Sequence, residues 1–479
     1  MPANRPNLLL IMSDDQGPWA MGCAGARELR TPTLDRLAAE GVRFDQFFCA
    51  SPVCSPARAS WLTGRIPSQH GVQDWLRSGN IDVASGVTWC GQDRPIEYLA
   101  GLPGFTDMLA GAGYRCGHSG KWHLGDSARP QKGHTWWYAY SLGGDNYHNW
   151  SGFDNTPKLI KHPEYVTTYY TDRALEFLDA HGRGPQPWCL SVHYTAPHAP
   201  WGREQHPAQL YDSYRDCGFA SLPREQPHPW GGWKANDEQR RNQAAGYFAA
   251  ITAMDAEIGR LLARLGALGL RENTLVVFTS DNGFCFGHHG ICGKGNGTFP
   301  LNMYEESVKV PFIASQPGAV PTGLVESGLW SHYDWFPTLG DLLGLPTPQA
   351  ERLPGRSFAG VLRGQPASGH DQVVVCEEYG PVRMIRDREW KYVHRYPYGP
   401  HELYHLREDP GEKTNRVDDK ACAEVLTNLR GRLGAWFARY VDPQRDGALE
   451  GVTGLGQIDL CGRQGGGRPA FWPRPVNKT

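Results

Sequence analysis

Asn7–Asp15 reads NLLLIMSDD, and far along the chain Thr274–Asn282 reads TLVVFTSDN. Each is a short unbroken apolar run that ends at a serine and a polar pair. Runs of this kind, with no polar alternation, fit strands buried on both faces, as in a parallel sheet covered by helices. In such open sheets, ligands bind just beyond the carboxyl ends of the strands. If the two strands are neighbours, Asp14, Asp15, Asp281 and Asn282 converge on one crevice. Three carboxylates brought together are costly without a cation, and an all-oxygen set favours Ca²⁺ or Mg²⁺ over zinc. Asp and Asn after strands also serve as plain turn formers or helix caps. Two matched pairs weigh against that reading for this chain.

Outward from these strands the pattern alternates. VRFDQFF (42–48), WCLSVHY (188–194) and VPFIAS (310–315) are further strand-like runs. Thr31 and Pro32 read as N-cap and first residue of a helix, with Leu34 and Leu37 on one face and Gly41 at its end. A longer helix is predicted from about Arg240 to Leu268, where Ala244, Phe248, Ile251, Ile258, Leu262 and Leu265 recur near helical spacing. The expected fold class is α/β, a large mixed and mostly parallel sheet sandwiched by helices. After about Gly369 the texture changes to short strand candidates (QVVVCEEYG, PVRMIRDREWKYVHRY, HELYHL) and one helix, Ala421–Tyr440. This predicts a catalytic domain over 1–369 and a C-terminal subdomain over 370–479. The latter holds a small antiparallel sheet, a helix and an irregular Gly- and Pro-rich tail.

Composition narrows the partners. The chain has 479 residues, 40% hydrophobic, with 48 Lys and Arg against 50 Asp and Glu. No basic stripe favours nucleic acid or an anionic membrane surface. No run nears the roughly 18 apolar residues of a membrane span, and the polar lead before Asn7 lacks a signal-peptide pattern. The expected location is therefore the cytoplasm. The twelve cysteines show no C-x-x-C and no Cys/His zinc spacing, so packed thiols are expected. Nothing in the sequence decides between a monomer and a homo-oligomer.

One thiol stands apart. In SPVCSPARASWLTGR (51–65), Cys54 is followed by Pro56 and Arg58, poor material for a core. If Pro56 opens a helix, Cys54 lies at its N-terminus, where free N–H groups favour anions, with Arg58 one turn on. A nucleophile position, a guanidinium and a divalent cation suit an anionic tetrahedral group.

CSPARASWLTGR resembles the signature of the type I, formylglycine-dependent sulfatases of the alkaline-phosphatase-like superfamily. GKWHLG, APHAP, SDNG, GKGNGTFPLNMYEESVKVPFI and ELYHLREDPGEKTN are similar to further segments of that family, in the same order along most of the chain. The resemblance implies that Cys54 becomes formylglycine through a formylglycine-generating partner. It implies that Asp14, Asp15, Asp281 and Asn282 hold Ca²⁺, with Mg²⁺ the other option. It places Arg58, Lys121, His123, His198 and Lys294 around the sulfate of a small sulfated substrate, a sugar sulfate first. Of these, Lys121, His198 and Lys294 would bind substrate, and His198 and Lys294 would steady or protonate the departing alcohol. His123 would serve as the base that releases sulfate from position 54. His289 is a further substrate-binding candidate, and His193 a core or supporting histidine. Trp136, Trp137, Trp150, Trp201, Trp230 and Trp233 suit either sugar faces or the core. Two other readings remain: a phosphonate monoester or phosphodiester hydrolase on the same scaffold, and a non-catalytic carbohydrate-binding relative that keeps its thiol.

Overall fold

The computed structural model describes residues 5–80, 95–144, 146–377 and 382–473; Cys90 lies outside them. Asn7–Ser13 forms strand β1, buried throughout. Its side chains alternate, with Leu8, Leu10 and Met12 entering one apolar core and Leu9 and Ile11 another. This is the pleat of a strand covered on both faces.

The same sheet holds β2 (Val42–Phe44), β3 (Arg115–Lys121), β4 (His134–Tyr140), β5 (Trp150–Asp154) and β6 (Leu159–His162). It continues with β7 (Trp188–His193), β8 (Thr274–Ser280), β9 (Phe312–Ser315) and β10 (Leu324–Glu326). Their order is β10-β2-β9-β8-β1-β7-β3-β4-β5-β6. Strands β8, β1, β7, β3 and β4 run parallel; β9 on one side and β5 on the other are antiparallel to this block, and β6 is antiparallel to β5. The expected mixed, mostly parallel sheet is present. The VRFDQFF run breaks in two, because Phe47–Phe48 leaves the large sheet to pair with Trp330–Ser331.

Helices α1 (Pro32–Ala39), α2 (Cys54–Thr63), α3 (Phe105–Gly111), α4 (Val166–His181), α5 (Asp237–Ala267) and α6 (Trp335–Leu343) cover the sheet. Leu34, Phe177 and Ile258 of α1, α4 and α5 pack on the Leu9 face; Trp61, Leu109 and Trp335 of α2, α3 and α6 pack on the Leu10 face. Asn236 caps α5 by accepting from the Gln239 amide at 2.9 Å. Thr31 and Pro32 stand at the N-cap and first position of α1 as expected, but the Thr31 side chain makes no capping hydrogen bond. Asp255 of α5 instead accepts from the amides of Thr33 and Leu34 at 3.0 and 2.8 Å, which binds the two helices together.

Strands β11 (Val373–Glu377), β12 (Val382–Arg386), β13 (Trp390–Arg395) and β14 (Glu402–His405) form an antiparallel sheet, followed by α7 (Ala423–Tyr440). Val373, Val375, Met384 and Val393 join the main core, while Val374, Ile385 and Leu403 pack on Leu429 and Leu433 of α7. The tail then returns along residues 71–77, with Gln457 bridging Leu76. Among the described residues no helix is long and apolar enough to cross a membrane.

Candidate active site

Strands β1 and β8 are adjacent and in register, with Ser13 opposite Ser280. The residues that follow leave the sheet side by side. Asp15 adopts φ 65°, a left-handed conformation uncommon outside glycine. Asn282 Nδ2 donates to its carboxylate at 2.8 Å, and the Asp15 amide donates to Asp281 at 3.2 Å. Carboxylate oxygens of Asp14, Asp15 and Asp281 lie within 4.8 Å of one another. Asn282 Oδ1 is buried with no partner. An orphaned buried oxygen costs about 1–3 kcal/mol, and three acids with an amide oxygen form a donor set for a hard divalent cation. These four residues fit one.

Cys54 is the first residue of α2, next to that cluster. Its Sγ lies 3.5 Å from Asp14 Oδ1 and 2.7 Å from Lys294 Nζ. A helix end and a nearby guanidinium by themselves favour an anion here. Burial and the Asp14 carboxylate overrule them, and the thiol pKa is pushed up to about 12 despite Lys121 and Lys294. At neutral pH this sulfur stays protonated, a weak nucleophile as a thiol.

Arg58 and Lys121 are buried behind the carboxylates. Arg58 Nε and Nη2 each reach Asp281 Oδ2 at 3.0 Å, and Nη1 donates to the Lys121 carbonyl at 3.1 Å. Lys121 Nζ contacts Asp14 Oδ2 at 2.5 Å. Burial works against the Asp281 carboxylate, but Arg58, Lys121 and Lys294 hold it well below the usual range. Burial raises Asp14, and Asp281 adds to the rise. Lys294 Nζ also contacts Asp15 Oδ1 at 2.5 Å. Three carboxylates thus face three cationic side chains, so a bound divalent cation would leave the site positive and ready for an anion.

A cleft of roughly 260 Å³ opens over this cluster, and Cys54, His123, His198 and Lys294 line it. His123 Nε2 lies 3.0 Å from the Leu76 carbonyl, so it carries the ring proton, and Nδ1 has no partner. Burial, then Lys121, lowers the His123 pKa well below its ordinary value. His198 Nδ1 donates to the Ala199 carbonyl at 2.7 Å, and Nε2 lies 3.7 Å from Asp15. The structure therefore gathers every predicted site residue except one into a single cluster, with Arg58 and Lys121 buried beneath it and not, as expected, on the cleft lining. His289 lies outside the cleft lining, its ring stacked 3.6 Å from Tyr304 and its Nε2 3.2 Å from Glu306.

Several residues escaped the sequence reading. Trp75, not one of the predicted tryptophans, lines the cleft, while Trp137 and Trp150 are fully buried in strands. Gly143 and Gly144 also line it. A Cβ on Gly143 would stand 2.3 Å from the His123 ring, and one on Gly144 2.8 Å from the His198 ring. Neither takes a positive φ, so space over the two imidazoles, not backbone freedom, demands glycine. A glycine pair in a loop carries no such signal in sequence.

Parallel strand ends bearing an all-oxygen donor set that fits a cation, beside a helix N-terminal side chain and clustered cationic side chains, suit a hydrolase acting on esters of a tetrahedral oxyanion. The sulfatase family profile matches residues 6–345, and the profile for the C-terminal part of N-sulphoglucosamine sulphohydrolase matches residues 300–438. The chain belongs to the sulfatase family and is a hydrolase of sulfate esters. It is 28% identical to an N-acetylglucosamine-6-O-sulfatase of Bacteroides thetaiotaomicron, over 92% of this chain and 88% of the relative. It is 27% identical to a choline-sulfatase of Rhizobium meliloti, over 90% of this chain and 87% of that one. A solved structure in complex with its substrate D-glucosamine-2-N,6-O-disulfate shares the fold, with TM-score 0.76 and 24% identity over 93% of this chain and 99% of the other.

Proposed function

We propose that this enzyme removes sulfate from a sulfated carbohydrate, with Cys54 converted to formylglycine and Ca²⁺ (or Mg²⁺) held by Asp14, Asp15, Asp281 and Asn282. The observation that carries the reading is the placement of Cys54, a buried residue lining a cleft, its sulfur touching both Asp14 and Lys294. When bound, the cation would neutralise charge on the sulfuryl oxygens and ease deprotonation at position 54. The hydrated aldehyde would supply one hydroxyl to attack sulfur; loss of the proton from the second would then re-form the aldehyde and break the C–O bond to the first oxygen, releasing sulfate.

The side chains divide the remaining work. Lys294 Nζ, already against position 54, steadies negative charge there and on the departing oxygen. His198 turns Nε2 to the site and, with Nδ1–H held by Ala199, would hand a proton from Nε2 to the leaving alcohol from its doubly protonated form. His123 is neutral and offers the Nδ1 lone pair, so it takes the proton from the second hydroxyl. Arg58 and Lys121 act from behind by holding Asp281 and Asp14 in place. Trp75 offers an apolar face suited to a sugar ring. The amino-sugar sulfates named for several relatives support a sugar substrate.

Free sulfate released from a panel of sulfated monosaccharides, with choline sulfate and a phosphodiester in parallel, tests the reading. Turnover is expected on at least one sugar sulfate, together with the mass change of aldehyde formation in the peptide carrying position 54. Faster turnover of the phosphodiester, or an intact thiol in the active enzyme, would overturn it.

A further inference from the structure

Residues 450–473 look like a loose end in sequence, and neither family profile reaches past residue 438. In the structure they form a strap tied to the wall of the catalytic cleft. Gln457 is fully buried. Its amide donates to the Trp75 carbonyl at 2.8 Å, and its carbonyl accepts from the Arg77 amide at 2.9 Å. Its side chain closes the clamp, with Oε1 accepting from the Gln73 amide at 2.9 Å and Nε2 donating to the Gly71 carbonyl at 3.0 Å. The Gly456 amide donates to Asp74 at 2.9 Å. Arg77 Nη1 donates to the Leu455 carbonyl at 3.1 Å, and its guanidinium lies 4.6 Å from the Trp472 ring and 5.6 Å from the Trp75 ring.

The strip so clamped carries Trp75, Leu76 and Arg77 into the cleft lining. Leu76 is its hub: the amide donates to Ser55 Oγ at 3.1 Å, next to Cys54, and the carbonyl accepts from His123 Nε2 at 3.0 Å. Cys461, Ala470 and Phe471 of the strap make a small cluster, and Val452 and Leu460 join the strap to the main core. Its grip on residues 71–77 is chiefly polar and position-specific, the kind of contact that sets register.

We propose that the strap is a working part of the active site, in which Gln457 fixes the Leu76 carbonyl and thereby the orientation and tautomer of His123, while Trp472 holds Arg77 against the cleft wall. Both are positioning residues, since neither lines the cleft. The inference rests on the proposed role of His123 as the base. Lost alignment of a base a few ångströms away costs rate, whereas a loosened wall costs binding.

The test compares Q457A, the isosteric Q457E and W472A in the full-length enzyme, each checked for aldehyde content and melting temperature. Steady-state kinetics on a sugar sulfate are read beside the ¹⁵N signals of His123. Q457A and Q457E are expected to lose kcat about ten- to a hundredfold and the Nε2–H signature, with KM nearly kept. W472A is expected to raise KM several-fold with kcat kept. Wild-type kcat, KM and His123 signals in all three would overturn the proposal. Should Q457A not fold, Q457E and W472A decide, and unchanged kcat and KM in those two would overturn it equally. If the wild-type chain releases no sulfate, the functional reading fails instead. The His123 signals still report on the strap, because Nε2–H present in the wild type and lost in Q457E would uphold the clamp.

Discussion

Lys391 and Lys294 are both buried ammonium groups clasped by carboxylates, yet the surroundings they complete differ. Lys391 sits where the small sheet meets the catalytic core. It contacts Glu305 and Glu412 at 2.7 Å each and donates to the Met303 carbonyl at 2.8 Å, so its three protons are spent. Glu412 in turn accepts from the Glu305 amide at 2.7 Å, and Arg386 reaches Glu305 at 3.2 Å. Lys294 lies against Asp15 and Cys54 on a cleft, beside an asparagine oxygen with no partner. The first cluster pairs buried ions inside the fold, and the second opens on a cleft with an oxygen left for a ligand. A buried ion pair alone therefore says little about function; unfinished bonding that faces a cavity says more.

The largest test of this contrast is C54A. Sulfate release is expected to fall about 10³-fold or further, with melting temperature unchanged, because only the nucleophile position is lost. K391A is expected to do the reverse. Two buried carboxylates left without their shared cation should cost about 3–5 kcal/mol in denaturant titration while the folded fraction keeps its kcat. Added Ca²⁺ separates the clusters directly. At about 100 times its dissociation constant it should raise stability by ~2.7 kcal/mol in the wild type and in K391A, and by much less in D281N.

Smaller effects sharpen the picture. G143A drives a methyl group into the His123 ring, and kcat is expected to drop about tenfold with little change in melting. E412Q probes the first cluster by pH. Burial raises the Glu412 carboxyl to about 7 from its ordinary 4.5, so the folded state holds an extra proton between those values. Stability should be fullest below that window and decline as pH rises through about 7, and E412Q should flatten the decline in thermal melts.

Much of this was legible in sequence for a physical reason. Apolar runs such as Asn7–Ser13 and Thr274–Ser280 announce buried strands, and their acidic ends must meet once the strands pair. Strand β3 was hidden because Arg115–Lys121 reads RCGHSGK, with glycines where neighbours press close. A Cβ on Gly117 would meet Phe177 at 2.8 Å, and one on Gly120 would meet the His193 carbonyl at 1.9 Å. The motif around Cys54 located the site, but the burial of its thiol against Asp14 has no local signature. His289 lay near the metal pair in sequence, yet Tyr304 and Glu306 hold it in a separate group with Glu412. The strap carries no periodicity, and only its return past Leu76 gives it meaning.

The central claim is that a hard cation sits among Asp14, Asp15, Asp281 and Asn282, directly beside position 54. A crystal structure of the purified enzyme grown with Ca²⁺, with anomalous data, tests it most directly. The expected result is one ion about 2.3–2.6 Å from oxygens of all four residues, with Asn282 Oδ1 among them. An empty site there at saturating Ca²⁺, or an ion held only by His289, Glu306 and Glu412, would contradict the account.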